Sequence, residues 1–197
     1  MDLWEHGVVS EPDHSNDLEM VISNILKKCR SIIKMIKKSS NLTSYMDKLK
    51  AANKIRSGLS IDCKSRWNST KFMIDNMIKL KSLVVQLHSE KHDLSLTKGQ
   101  KGKLTKLELT SDQWRMLMSI NQVLTPFYNA TKLMSGQKYS TIGTALFAIR
   151  KIKAFLETYV ENNSFVNEMK NALLDQMIKY IDEDKEQMDL IIVNIIN

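Results

Sequence analysis

Apolar residues recur every three or four positions from residue 18 onward, which is the spacing of one face of an α-helix. The first series starts at Leu18 and predicts a helix that runs to residues 37–40, preceded by capping side chains at residues 15–17. Its apolar positions are Leu18, Ile22, Ile25, Cys29, Ile32 and Ile36. A shorter second helix ends by Gly58, and its apolar positions are Leu42, Met46 and Leu49. Residues 59–65 are predicted to form a brief extended connector.

Four further helices are predicted in the rest of the chain. Their apolar positions are Met73, Met77, Leu80, Val84 and Leu87; Leu117, Ile120, Leu124 and Phe127; Ile142, Ala145, Ile149, Ile152, Leu156 and Tyr159; and Val166, Met169, Leu173, Met177 and Tyr180. Residues 88–107 are polar and contain two glycines among lysines, which predicts a mobile loop. Pro126 lies inside a helical pattern and is expected to kink or break that helix. The β-branched run 190–196 favours a short strand.

Six amphipathic helices with short links predict a mainly α fold, a helical bundle, with a short strand at the C-terminus as an option. Six glycines and two prolines are too few for the many turns of an all-β fold. No apolar run approaches the ~20 residues of a membrane-spanning helix. Residues 1–16 lack periodicity and a secretory signal, and are predicted to be a disordered leader. Two cysteines cannot build a disulfide framework. We therefore expect a soluble intracellular helical protein.

Positive charge is concentrated in one part of the chain, whose formal net charge is +7. Residues 1–16 carry four acidic and no Lys or Arg side chains. Residues 17–106 carry 20 basic and 7 acidic side chains, and residues 107–197 carry 9 basic and 11 acidic ones. This asymmetry favours a polyanionic partner, because lysine and arginine gain affinity when counterions are released from phosphates. Helix faces that are lysine-rich only for solubility are an alternative of equal weight.

Groups that could support catalysis or bind a metal are scarce. His88 and His92 lie four residues apart, but their spacing is not that of a zinc protease, and no third ligand is near, which favours a solvated helix end. Residues 98–103 combine glycine and lysine without the spacing of a phosphate-binding loop. The acidic residues of 182–186 are typical of a solvated face. Neither cysteine has a recognisable set of catalytic partners, so no catalytic residue, metal ligand or cofactor is predicted.

The informative segment is 62–70, Asp-Cys-Lys-Ser-Arg-Trp-Asn-Ser-Thr, at the start of a predicted helix in the basic part. Lysine and arginine side chains here suit phosphates, and the Trp67 ring offers a face for an unstacked base. The predicted nucleic-acid-binding residues are Lys64, Arg66, Trp67, Asn68 and Lys71. The alternative is structural: Trp67 anchors the first helical turn in the core, and Asn68 or Ser69 caps the helix.

This segment resembles the TRWNST block of the hAT-type (hobo/Activator) transposases and of host proteins domesticated from them. Other positions in matching order are similar to the family over most of the chain. They are Cys29–Ile33, Lys38 with Ser39, and Leu49 before the block, and Trp114, Val123–Phe127 (the L-x-PF element), Ala130 with Thr131, and Tyr139–Thr141 after it. Ser140 stands where the family has a proline.

The resemblance implies a ribonuclease-H-like core interrupted by a large helical insertion domain, with three carboxylates that bind two divalent metals. Residues 1–16 are then a leader, 17–65 the helical edge of a core remnant, and 66–197 a truncated insertion-type domain. The Cys-x-x-His element of the family is not found in residues 1–65, and no carboxylate there takes over a catalytic role. The chain is therefore predicted not to be an enzyme.

The resemblance also implies a transposase-derived nuclear protein that binds DNA. Trp67 matches the tryptophan with which the family stacks on a flipped base during hairpin formation, and Arg66 matches its phosphate-side companion. Homo-oligomers would form through regions outside this chain. No membrane, small-molecule substrate or cofactor is expected, and a divalent metal only in a complete transposase. Two alternatives stay open: a fragment of an active metal-dependent hAT transposase, and a protein–protein interaction or oligomerisation module.

Overall fold

The structure is a computed structural model that describes residues 14–63, 66–136 and 142–183. These residues form eight helices and no strand. The helices are α1 (His14–Lys38), α2 (Ser40–Ala52), α3 (Trp67–Lys79), α4 (Lys81–Ser89), α5 (Lys98–Leu107), α6 (Ser111–Gly136), α7 (Ile142–Glu157) and α8 (Ser164–Glu183). The predicted mainly α fold is confirmed, with eight helices in these ranges where six were predicted. The predicted C-terminal strand, residues 190–196, lies outside the described residues.

The core is built where the helices bury their apolar faces against one another. α3 packs against α6, α1 packs against α2 and α5, and α6, α7 and α8 pack together. The fully buried apolar side chains include Ile32, Ile33, Leu42, Met73, Met77, Leu80, Leu87, Leu104, Leu117 and Val123. Burying one such side chain contributes about 1.5–3 kcal/mol, so packing rather than helix propensity holds the fold. Within the described ranges, no helix combines the length and apolar character needed to cross a bilayer.

The first predicted helix is confirmed with a small shift at its start. The α1 helix begins at His14, ahead of the predicted capping residues 15–17, and ends at Lys38. Residues 1–13 of the predicted leader lie outside the described residues. Ser39 then ends α1 and caps α2, because its backbone is extended and its side chain accepts a hydrogen bond from the Leu42 N–H.

The third predicted helix is in fact two helices that meet at Leu80. The backbone of this residue leaves the helical region, with φ −100° and ψ 12°, and it caps the end of α3 and the start of α4. The Leu80 side chain is completely buried. The apolar spacing from Met73 to Leu87 continues across the break, so the pattern alone predicted one helix. On either side of this break, α3 packs on α6 and α4 packs on α2.

The mobile loop predicted for residues 88–107 is wrong for its second half. The α5 helix begins after Thr97 with a capping box, in which Thr97 Oγ1 accepts from Gln100 N at 3.2 Å and Gln100 Oε1 accepts from Thr97 N at 2.9 Å. Leu104 is completely buried and fixes the helix on the core. The T-x-x-Q capping pattern was the local signal for this helix, and the lysines and glycines around it obscured it.

The α6 helix runs through Pro126 without a break, so of the two expected effects, a kink or a break, the break is wrong. Proline lacks the N–H that would reach the carbonyl one turn earlier, yet the helix continues on both sides. Hydroxyl groups contact the backbone there: Thr125 Oγ1 donates to Asn121 O at 2.7 Å, and Thr131 Oγ1 donates to Phe127 O at 3.0 Å. The predicted cap of α7 at residues 140–141 lies outside the described residues.

Candidate nucleic-acid interface

The connector between α2 and α3 is tied to the fold by one buried carboxylate. Asp62 is fully shielded from solvent and accepts two hydrogen bonds from the guanidinium of Arg30 on α1, Nε–Oδ1 at 2.8 Å and Nη2–Oδ2 at 2.6 Å. The Thr70 hydroxyl on α3 donates a third, to Oδ2 at 2.7 Å. The hydrogen bonds from Arg30 outweigh burial and hold the pKa of Asp62 below its usual range. The carboxylate therefore joins α1, the connector and α3.

Ser69 closes the turn that leads into α3. Its Oγ accepts from Cys63 N at 2.8 Å and lies 2.7 Å from the carbonyl oxygen of Arg66 and 2.9 Å from that of Cys63. The Arg66 N–H donates to Cys63 O at 2.9 Å. Three polar side chains of the segment 62–70, those of Asp62, Ser69 and Thr70, are thus used for local structure. The helix then starts at Trp67, with Arg66 in the N-cap position.

Among the residues of the segment that the structure describes, the neighbouring Arg66 and Trp67 are both exposed to solvent. Trp67 is 40% exposed, and Arg66 is exposed and makes no capping hydrogen bond. Trp67 is therefore not fully buried in the core. The first turn of a helix also presents free N–H groups and the positive end of the helix dipole, which favour an anion nearby. An indole face and a cation therefore sit together where phosphate is favoured.

The other predicted contact residues lie in different surroundings. Lys71 is only 6% exposed, pairs with Asp75 at 2.6 Å, and lies 5.4 Å from the centre of the Tyr128 ring. Asn68 is partly buried, and its Oδ1 is shielded from solvent without a hydrogen-bond partner in the described part of the chain. Lys64 lies outside the described residues. The structure therefore brings together Arg66 and Trp67, and turns the Lys71 ammonium toward the protein.

Sequence reasoning missed that Arg30 supports this site. Arg30 lies 32 positions from Asp62, so no local spacing connects the two residues. The available signal was the pairing of one of several cations on the first helix with a lone carboxylate in the connector, and that signal is weak. The pKa of Arg30 is raised in turn, chiefly by its hydrogen bond to Asp62.

His88 and His92, the two histidines considered as metal ligands, lie in different surroundings. His88 is 2% exposed, and neither ring nitrogen has a hydrogen-bond partner in the described part of the chain. The predicted solvated helix end is thus wrong for His88, whereas His92 is exposed. Burial lowers the pKa of His88. Among the residues described, no three His, Cys, Asp or Glu side chains are grouped to hold a metal ion.

Comparison with known proteins agrees with this architecture. The family model described as the ZBED1 RNase-like helical domain matches residues 15–123, more than half of the chain, from α1 into α6 and including the segment 62–70. The chain therefore belongs to this family of RNase-like helical domains. It is a region derived from an hAT-type transposase, as its resemblance to that family indicated.

A curated relative shares this origin. The maize (Zea mays) protein named "Putative AC transposase" is 24% identical over 168 residues, which cover 81% of this chain. The chain spans 19% of the length of that relative. No solved structure matches the chain significantly.

Proposed function

We propose that this chain is a DNA-binding domain of transposase origin that acts in the nucleus, with Trp67 stacking on an unpaired base and Arg66 neutralising the adjacent phosphate. The observation that carries the proposal is the exposure of these two neighbouring side chains at the start of α3. Three other side chains of the segment, those of Asp62, Ser69 and Thr70, make internal hydrogen bonds that hold the local structure.

The energetics suit single-stranded or distorted DNA. Stacking on an aromatic side chain contributes about 1–3 kcal/mol per base, but it requires a base that has left its own stack. In an intact duplex that base is already stacked, so it would have to be flipped out at a cost of a few kcal/mol. A branched or single-stranded probe is therefore the expected ligand. The excess of basic residues over 17–106 adds a salt-dependent attraction that is independent of base sequence.

We further propose that these residues perform no strand cleavage by themselves. Six carboxylates of the described residues are in ion pairs with cations, among them Asp62 with Arg30, Asp75 with Lys71, and Glu108 with Lys91. A two-metal reaction requires several carboxylates free to converge on the ions. Incubation with a labelled hairpin DNA and Mg²⁺ or Mn²⁺ tests this point. Metal-dependent nicking by the 197-residue chain would instead favour the fragment of an active transposase.

The role of Trp67 is tested by anisotropy of a fluorescein-labelled single-stranded oligonucleotide. We expect Trp67→Ala to weaken binding about 5- to 150-fold, because about 1–3 kcal/mol of stacking is lost. Trp67→Phe keeps a ring and is expected to retain much of the affinity. Tyr159→Ala is the matched control, since it removes another exposed aromatic side chain, 74% exposed. Equal affinity of Trp67→Ala and wild type, or equal losses in Trp67→Ala and Tyr159→Ala, would remove Trp67 from the interface.

An interaction module is the second candidate, and exposed apolar side chains on α6 and α7 favour it. Leu133, Ile142 and Phe147 are 41%, 48% and 54% exposed, and Leu133 and Phe147 line a common cleft. Apolar groups exposed together are typical of contact surfaces. Light scattering over a range of protein and salt concentrations separates the two functions. Apolar self-association is expected to persist in high salt, whereas DNA binding weakens steeply.

A further inference from the structure

A groove lined by lysines lies between α1 and α5, and its lining residues come from parts of the sequence other than the segment around Trp67. It has a volume of about 520 Å³. Lys34 and Lys38 line it from α1, and Lys103 and Lys106 line it from α5. All four lysines are exposed, and the partly buried Met35 and Leu107 also line the groove. Ser31, Ser39 and Gln100 complete the lining, and we call the whole the lysine groove.

The charges of the lysine groove are not neutralised by the protein. No Asp or Glu lines it, and none of its four lysines is in an ion pair with a residue that the structure describes. Other lysines of the same part of the chain are paired, for example Lys50 with Asp47 and Lys91 with Glu108. Four like charges along one groove repel each other and raise the local potential. An anionic ligand would relieve this repulsion.

The spacing of the lysines suits a ligand with charges in a row. Lys34 and Lys38 are separated by about 6 Å along the axis of α1, and Lys103 and Lys106 by about 4.5 Å along α5. A chain of regularly repeated anionic groups can follow both walls of the groove.

The lysine groove continues toward the connector along one face of α1. A second groove shares Ser31 and Lys34 with it and extends to Lys27 and Arg30. Arg30 in turn holds Asp62, which fixes the connector that leads to Arg66 and Trp67. The positions 27, 30, 34 and 38 lie three or four apart, so their basic side chains share one face of α1, with Arg30 neutralised by Asp62 and Glu19 also lining the second groove.

We propose that the lysine groove binds the sugar–phosphate backbone of a nucleic-acid strand. The row of unpaired cations matches the repeated phosphates, and the apolar side chains of Met35 and Leu107 suit the sugar faces between them. This inference extends the proposed function, but it depends on residues of α1 and α5 and not on base stacking. An acidic protein segment is the competing ligand for such a surface, and the test below distinguishes it.

The test measures binding of a labelled single-stranded oligonucleotide to the full chain as the salt concentration is raised. We expect Lys103→Gln with Lys106→Gln to reduce the slope of log Kobs against log salt by about 1.4, since each phosphate contact on single strands contributes about 0.7. The plots of log Kobs against log salt for the wild type and this variant converge near 1 M salt, so the variant is expected to bind about 25-fold more weakly than the wild type at 0.1 M salt. The matched control is Lys132→Gln with Lys151→Gln, which removes two exposed lysines from α6 and α7.

Each outcome bears on the inference. Equal slopes for the groove and control variants, or no binding by the wild type, would overturn it. A groove variant that binds DNA normally but loses a labelled polyglutamate would assign the groove to an acidic protein segment instead. Trp67→Ala separates the two proposals, because it removes stacking without changing the number of groove lysines. If Trp67→Ala binds normally and the groove variant binds weakly, the stacking proposal alone is refuted. Thermal unfolding by circular dichroism checks that the variants fold.

Discussion

The buried carboxylate of Asp62 makes the connector the most sensitive point of the candidate interface. Asp62→Ala removes three hydrogen bonds at once, two from Arg30 and one from Thr70. Hydrogen bonds to charged groups contribute about 1.5–3 kcal/mol each, and they are not additive. Removing one partner of a buried pair costs about 3–5 kcal/mol, but the Arg30 side chain keeps 17% of its exposure and can recover some hydration.

From these contacts we expect Asp62→Ala to lower the free energy of unfolding by about 3 kcal/mol. For a chain of this size, that loss corresponds to a decrease in Tm of about 6–12 °C. Urea unfolding followed by far-UV circular dichroism measures it. Asp47→Ala is the control, because the exposed pair of Asp47 with Lys50 is expected to contribute less than about 1 kcal/mol.

The ion pair of Asp62 with Arg30 predicts that stability depends on pH and that the effects of substituting the two residues are coupled. Since the pKa of Asp62 is lowered in the folded state, its stabilisation is present above the ordinary pKa of about 4 and is lost as pH falls through the folded value. Arg30→Ala and the double variant complete a mutant cycle, in which we expect the second substitution to cost much less than the first. If Asp62→Ala and Asp47→Ala unfold at the same urea concentration, or the cycle is additive, the carboxylate does not anchor the connector.

Two further predictions concern buried titratable groups. Because burial lowers the pKa of His88, the unfolded chain binds a proton at this histidine before the folded chain does, so the free energy of unfolding is expected to fall as pH decreases below about 6.5. Urea titrations of His88→Gln should lack this part of the loss. An unchanged pH profile in the variant would contradict the prediction. Cys29 is buried with its pKa raised to about 12, whereas Cys63 is exposed, so a thiol reagent at neutral pH is expected to modify Cys63 alone in the native protein and both cysteines in denaturant. Rapid loss of both thiols without denaturant would show that α1 opens readily.

The apolar periodicity was enough to predict most helices because it reflects local geometry. Side chains three or four apart share a helix face whatever their tertiary neighbours are, and α1 shows this directly. The same rule failed at Leu80, where a buried leucine fits the apolar face of both α3 and α4 although the backbone changes direction. It failed again at α5, whose core contact is a single buried residue, Leu104.

The position of the candidate interface was predicted, but which of its side chains face solvent and which hold the local structure was not. The segment 62–70 was identified from residue types and from its resemblance to a family motif. Which side chains face solvent depends on partners far along the chain, such as Arg30 for Asp62. Lys71 was predicted to contact nucleic acid, but packing of α3 on α6 places it beside Tyr128 and its own Asp75.

Residue order and type were therefore sufficient for the helical class, the basic first half and the motif around Trp67, because spacing, charge and family resemblance are properties of a linear chain. The exposure of the Trp67 ring, the anchoring of the connector by Arg30, and the meeting of lysines from α1 and α5 came from packing. Contacts between residues more than 30 positions apart arise when several helices bury their apolar faces together, and no local pattern encodes them.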